Sequence, residues 1–315
     1  VFFALSVYTL RIAIRLFVEI FSQSPIFDSG ERLMFDIAFV GHFTKDTVEN
    51  PHGKTVYRGG AYYYGAHVAI PMGLRVAVVT RLAKEDWGAV EELQAMGVTM
   101  FAKETPESTC LRIVYPTENL DERVIHATGF AGAFTTAEIA PIHARVFHIG
   151  ASIRGEVPLN VIAALAAKQT RVSLDVQGFI RVNDNGMLRY AKWNEMSATL
   201  HLINVLKVDS TEAEFLAGTR DWQEALRFFA SYGPQEIVLT HNEGVMVYAE
   251  GQVYAYPWRA PEIKGRTGRG DTCIAAYLCK RLSASPDHAA RFAAAITSIK
   301  LQAPGPFKGP IPTEY

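Results

Sequence analysis

GRTGRGDTCIAAYLCKRL (265–282) is the run on which the fold turns. Its second half has helical spacing, with Ile274, Tyr277, Leu278 and Leu282 on one face. The glycine-rich half therefore lies at the helix N-terminus, where unpaired backbone N–H groups and the positive end of the dipole meet. Glycines let the main chain approach an anion closely. Asp271 falls in the first turn of the same helix. A carboxylate there either caps the helix or takes a proton from a hydroxyl held beside a bound phosphate, and the spacing leaves both open. No GxxxxGK[ST] run occurs, which excludes a Walker-type nucleotide loop. Gly59, Gly60 and Gly65 lack GxGxxG spacing, which argues against a dinucleotide site.

Upstream of this run, apolar strand patterns alternate with helical ones. FDIAFVG (35–41), RVAVVT (75–80), RVFHIG (145–150), RVSLDV (171–176), HLINVLKVD (201–209) and EIVLT (236–240) read as strands. Residues 61–73, 86–97, 156–168, 211–217 and 221–232 read as helices. A hairpin turning at Glu250 and Gly251 follows, then helices over 271–283 and 286–302. This repetition predicts an α/β fold: a doubly wound, mostly parallel sheet with helices on both faces. Strands that are apolar throughout fit burial on both sides. GKTVYR (53–58), STCLRIVYP (108–116) and ERVIHATG (122–129) break the rhythm, being short, β-branched and partly polar. They predict a small β lid near 53–58 and 108–129, with ordinary edge hairpins as the alternative.

The chain of 315 residues carries 31 Lys and Arg against 32 Asp and Glu, and this net charge of −1 excludes a dominant basic footprint for nucleic acid. Cys110, Cys273 and Cys279 are too few for a disulfide framework and have no zinc spacing, so a reducing cytoplasm is expected. The head, VFFALSVYTLRIAIRLFVEIF (1–21), is strongly apolar, yet Arg11, Arg15 and Glu19 fall inside it. Charges there weaken both a secretory signal and a membrane span. The first methionine is Met34, and a clean strand pattern follows at once. Residues 1–33 are therefore expected to be an extension outside the fold, with an amphipathic surface or partner helix, or a membrane anchor, as the alternatives. Residues 34–315 are expected to form the folded domain.

Taken together, the motifs resemble the ribokinase/PfkB carbohydrate kinase family. The run 265–278 resembles the T-G-A-G-D-like segment that precedes a long helix in that family, and ordered matches extend over most of 35–305. Gly41 is followed five residues later by Asp46, Gly59-Gly60 match the N-terminal Gly-Gly, and Gly73 follows at the expected distance. Residues 83–88 resemble the G-x-D-x-x-G loop with Ala83 in place of Gly, and 207–212 the N-x-x-E region with Asp209 in place of Asn. Residues 240–244 resemble the T-x-G-x-x-G nucleotide loop with Asn242 in place of Gly.

The resemblance implies a ribokinase-like kinase that phosphorylates a hydroxyl of a sugar, a polyol such as inositol, or a nucleoside, using ATP and Mg²⁺. Monovalent-cation activation occurs in part of the family. It further implies Asp271 as general base and the amides of Gly268, Arg269 and Gly270 as the anion hole. Asp46, Gly59 and Gly60 would bind substrate, with Tyr64 able to stack on a ring or hydrogen-bond to it. Asp209, Thr240 and Gly244 would bind nucleotide, and Glu212 would orient Mg²⁺. Lys207 reads as a solvated strand-end charge outside the site. Tyr64 stands where ribose-binding members carry Asn, and no Glu follows the HIG strand, so a ribokinase proper is not expected. Lid strands can mediate homodimers in this family. The alternative from another class is a non-catalytic sensor or subunit that binds a sugar or nucleotide. The intact run from Gly268 to Asp271 argues against it.

Overall fold

The computed structural model describes residues 34–117 and 123–315. The extension expected at 1–33 and part of the expected lid, 118–122, lie outside the described residues. The chain runs through β1 (Met34–Val40), β2 (Thr44–Asn50), β3 (Gly53–Gly59), α1 (Ala61–Ala69), β4 (Val76–Leu82), α2 (Gly88–Ala95), β5 (Thr99–Glu104), β6 (Thr109–Val114) and β7 (Val124–Gly129). It continues with α3 (Thr136–Ile139), β8 (His143–Ile149), α4 (Leu159–Ala166), β9 (Arg171–Asp175), α5 (Gln177–Ile180), β10 (Arg181–Asp184), β11 (Met187–Tyr190) and α6 (Met196–Leu200). The last elements are β12 (Val205–Asp209), α7 (Ser210–Ala217), α8 (Trp222–Ala230), β13 (Glu236–Thr240), β14 (Gly244–Ala249), β15 (Gln252–Pro257), α9 (Arg269–Arg281) and α10 (Pro286–Leu301).

Nine strands form the main sheet in the order β15-β14-β13-β12-β9-β8-β1-β4-β5. All neighbours from β13 to β5 pair in parallel, and β14 and β15 add an antiparallel edge. Period-two alternation sends Ile37 and Phe39 to one core, with α1, α9 and α10, and Ala38 and Val40 to the other, with α4, α7 and α8. The doubly wound expectation is thus met. Among the described residues no helix is long and apolar enough to cross a membrane.

From β1 the chain builds outward to β4 and β5 on one side and to β8, β9, β12 and β13 on the other. In open α/β sheets such a switch point leaves a crevice at the carboxyl ends of the strands. Here a fully buried carboxylate shapes it. Glu156 accepts from His42 N–H (2.7 Å) and Ser152 N–H (2.8 Å), tying the loop after β1 to the loop after β8.

A second sheet of six strands, β10-β11-β7-β6-β2-β3, has its own small core of Leu111, Ile113, Tyr115, Ala127 and Ile153. Three of its strands match the stretches expected at 53–58, 108–116 and 122–129, but β2, β10 and β11 do not. TKDTVEN in β2 carries one apolar residue and RVND in β10 likewise. A sheet that covers so small a core needs few apolar side chains, so hydrophobic periodicity does not announce these strands. The outer strand β3 exposes six of its seven residues and carries Lys54 and Arg58, charges that discourage further strand pairing.

Candidate active site

Helix α9 opens at Gly268, whose φ of 79° places it in the left-handed region. A side chain there would be strained, and its Cβ would lie 2.1 Å from Tyr64 Cε1. No side chain caps this helix. Thr272 N–H makes the first intrahelical bond, to Gly268 O at 2.9 Å, and Arg269 N–H donates to Arg266 O at 3.2 Å. The Arg269 amide therefore closes the turn, while the neighbouring amide of Gly270 stands at the positive end of the helix. Gly270 also lets Lys207 come close, since a Cβ on it would lie 2.9 Å from Lys207 Nζ.

Asp271 lies one residue further on, in the pocket wall. Burial pushes its carboxyl up to about 6; the charge of Asp175 raises it as well, while Lys207, Arg181 and Lys300 pull it down. Across the pocket, Asp46 projects from β2 and is also pushed up to about 6, by burial first, opposed by a hydrogen bond from Thr44 and assisted by the charge of Asp271. Asp46 Oδ1 is buried with no protein hydrogen-bond partner. The pocket thus holds two carboxyls with raised pKa values, one of them with an oxygen that no protein group satisfies.

The pocket gathers Asp46, Gly60, Tyr64, Asp209, Thr240, Gly268, Arg269, Gly270 and Asp271, nine of the twelve residues expected from the sequence. Gly59, Gly244 and Glu212 stand outside its wall. Gly59 backs Asp46: a Cβ on it would lie 2.5 Å from Asp46 Oδ2. Gly244 closes the turn after β13, accepting from His241 N–H at 2.9 Å. Tyr64 is 3% exposed, and its ring fills the space beside Gly268. Tyr62 and Tyr63 are buried too. Asp209 and Glu212 form a reciprocal capping box at α7: Glu212 N–H donates to Asp209 Oδ1 and Asp209 N–H to Glu212 Oε2, both at 2.8 Å.

Among the described residues no group of three or more His, Cys, Asp or Glu could hold a metal ion. The pocket does present Asp209, half-buried, beside Asp175 and Asp271. That donor set suits a Mg²⁺ held by one or two carboxylates together with donor phosphates and water, rather than by a protein cage. Glu212 is fully buried, and its Oε1 lacks a hydrogen-bond partner but faces Arg181 at 3.9 Å.

Lys207 departs most from its sequence reading. It is not a solvated strand-end charge: it is 4% exposed, lines the pocket, and pairs with Asp175 at 3.1 Å and Glu212 at 3.8 Å. These carboxylates hold its ammonium protonated, well above the ordinary range, despite burial. A lysine interrupting the apolar strand VLKVD was the available signal. Arg181, also buried, and Arg123 complete a cationic wall that linear spacing did not reveal. Glu92 on α2 accepts from Tyr63 Oη at 2.9 Å and pairs with Arg58.

The pfkB family of carbohydrate kinases matches the chain over residues 30–314, and the chain belongs to that family. A pyrophosphate-dependent kinase in the ribokinase family, solved as a sulfate complex, is 35% identical, with a TM-score of 0.82 over 86% of this chain and 97% of that one. A second such structure, complexed with a pyrophosphate analogue and myo-inositol, is also 35% identical, with a TM-score of 0.81 over the same shares. Arabidopsis thaliana ribokinase, complexed with ribose and ATP, shares the fold at 17% identity, with a TM-score of 0.68 over 87% of this chain and 95% of that one. No curated protein matches the chain.

Proposed function

We propose that the protein phosphorylates a hydroxyl of a small cyclic polyol of the inositol class, with pyrophosphate as donor and Asp271 as general base. One observation carries this reading: Asp271 and Asp46, both pushed up to about 6, share a pocket with the uncapped N-terminus of α9. Asp46 accepts hydrogen bonds from the ring hydroxyls and so orients the acceptor. Asp271 takes the proton of the attacking hydroxyl as its oxygen bonds to phosphorus and inorganic phosphate departs. The Gly270 amide and the end of α9 stabilise the transferring group, and Lys207 and Arg181 balance its charge. Asp209, together with the donor phosphates, would hold Mg²⁺, which would supply charge neutralisation of the donor oxygens. The second sheet, with Asp46 and Arg123, acts as the lid.

Pyrophosphate is favoured over ATP by the 35% identity to kinases that use it and by the cations that line the pocket, Arg123, Arg181, Lys207, Arg266 and Arg269. ATP, implied by the family resemblance, is the alternative donor, and Thr240 in the wall is where its site would adjoin. The deciding experiment measures phosphoryl transfer to myo-inositol, sugars and nucleosides with each donor. Turnover of inositol with pyrophosphate is expected. Turnover with ATP alone would reverse the donor, and ligand binding without any turnover would favour a non-catalytic sensor. Three free cysteines, two of them buried, fit the reducing cytoplasm proposed as its location, and the homodimer through the lid that the family resemblance implies would be tested by light scattering.

A further inference from the structure

Lys300 lies in the last turn of α10 and is 2% exposed. Its Nζ donates to the carbonyl of Gly265, where the glycine-rich turn begins. Two amides of the same turn are anchored beside it: Lys264 N–H and Gly265 N–H both donate to Leu301 O, at 2.8 and 3.1 Å. The contact is close enough that a Cβ on Gly265 would lie 2.2 Å from Ala303 O. Lys300 Nζ also stands 6.0 Å from the centroid of the Tyr64 ring, and that ring packs against Gly268. One side chain thus touches the start of the turn directly and its end through Tyr64. Among the described residues no carboxylate lies within ion-pair distance of it. A buried ammonium without an ion-pair partner is costly to keep, so its place needs a reason beyond packing.

We propose that Lys300 is a positioning residue, a built-in cation whose ammonium holds the turn 265–268 in the shape that aims the N-terminus of α9 at the transferring phosphoryl group. The proposal rests on the kinase reading above. The groups facing the ammonium are Asp271 and Arg269 from α9, the Tyr64 ring from α1 and the Gly265 carbonyl. Burial pushes Lys300 down to about 8; Asp271 opposes this and Arg269 adds to it. Below that pH the cation is in place, and above it the turn loses its charge.

The test compares wild type with Lys300→Met and Lys300→Ala in inositol phosphorylation, alongside hydrogen exchange of the amides of 264–270. In Lys300→Met, kcat should fall about 10²-fold, as for a misplaced catalytic frame, with the polyol KM changed less than about threefold. Methylammonium or ammonium should restore Lys300→Ala at least about tenfold while leaving wild type unaffected, and exchange across 264–270 should quicken in both variants. A kcat within threefold of wild type, or a loss that added cations do not relieve and exchange does not register, would overturn the proposal. Should both variants misfold, wild type alone decides: a falling alkaline limb near pH 8, with protection factors of 264–270 (exchange corrected for its intrinsic rise with pH) dropping above it, supports the role, and a flat limb with unchanged protection rejects it. If wild type transfers phosphate from neither donor, the kinase reading fails, and exchange by itself then judges Lys300.

Discussion

Two helix N-termini meet this pocket and are finished in opposite ways. At α7, Asp209 and Glu212 satisfy each other's backbone amides, so the helix start is closed by its own side chains. At α9, Gly268 offers no side chain, and Asp271, three residues past the cap position, leaves the amides alone and faces the pocket. A carboxylate spent on a cap stabilises the fold by about 1 kcal/mol. A carboxylate withheld from the cap, and buried, has a raised pKa and is available for proton transfer. The contrast separates a carboxylate engaged in a cap from one that is not, although both lie in the first turn of a helix or just before it.

The largest expected effect comes from Asp271→Asn. We expect kcat to fall about 10³-fold with donor affinity kept, measured by steady-state kinetics and calorimetry. Wild-type-like turnover would erase the contrast between the two termini. The same substitution should stabilise the protein. The folded-state pKa of about 6 stands above the ordinary 3.8, so the ionised carboxylate costs stability fully above pH 6, and that cost vanishes below about pH 4. Removing it should add about 1–2 kcal/mol at pH 7.5, read from denaturant unfolding. For the same reason wild-type kcat/KM should rise with pH through about 6, as the coupled carboxyls Asp271 and Asp46 ionise.

Next in size, Gly268→Ala forces a Cβ into the Tyr64 ring at a φ of 79°, and kcat should fall about 10²-fold. A fully active variant would show that the open turn tolerates reshaping. Arg269→Ala should raise the donor KM about tenfold, a charge-assisted hydrogen bond's worth. Unchanged kinetics would remove the guanidinium from the donor site. The smallest effect sharpens the closed terminus: Asp209→Asn keeps the cap and should unfold within about 0.5 kcal/mol of wild type, whereas Asp209→Ala should lose about 1 kcal/mol. If Asp209→Asn also keeps full activity, Asp209 is a cap and nothing more.

The main sheet was legible because its strands are buried on both faces and so spell continuous apolar runs such as FDIAFVG and EIVLT. The second sheet was legible in β3, β6 and β7 but not in β2, β10 and β11; TKDTVEN, although it carries Asp46, has a single apolar residue and left no strand signal. The glycine-rich turn was legible from spacing, and Asp271 with it. Lys207 was misread because a charge near a strand end is ordinarily solvated, and only the convergence of Asp175 from β9 and Glu212 from α7 shows otherwise. Lys300 left no signal, for it sits among the polar and apolar positions of an unremarkable helix.

By itself the sequence determined the order of most main-sheet strands and of the longer helices, the glycine-rich turn before α9 and the family to which these belong. Each depends on short-range periodicity and local backbone chemistry. Only the tertiary structure decided which charges surround the pocket and which carboxylates are buried in it without a cap to make. Burial and Coulomb coupling act between residues far apart in the chain, such as Asp46 and Asp271 or Lys300 and Gly265, and no local pattern encodes those distances.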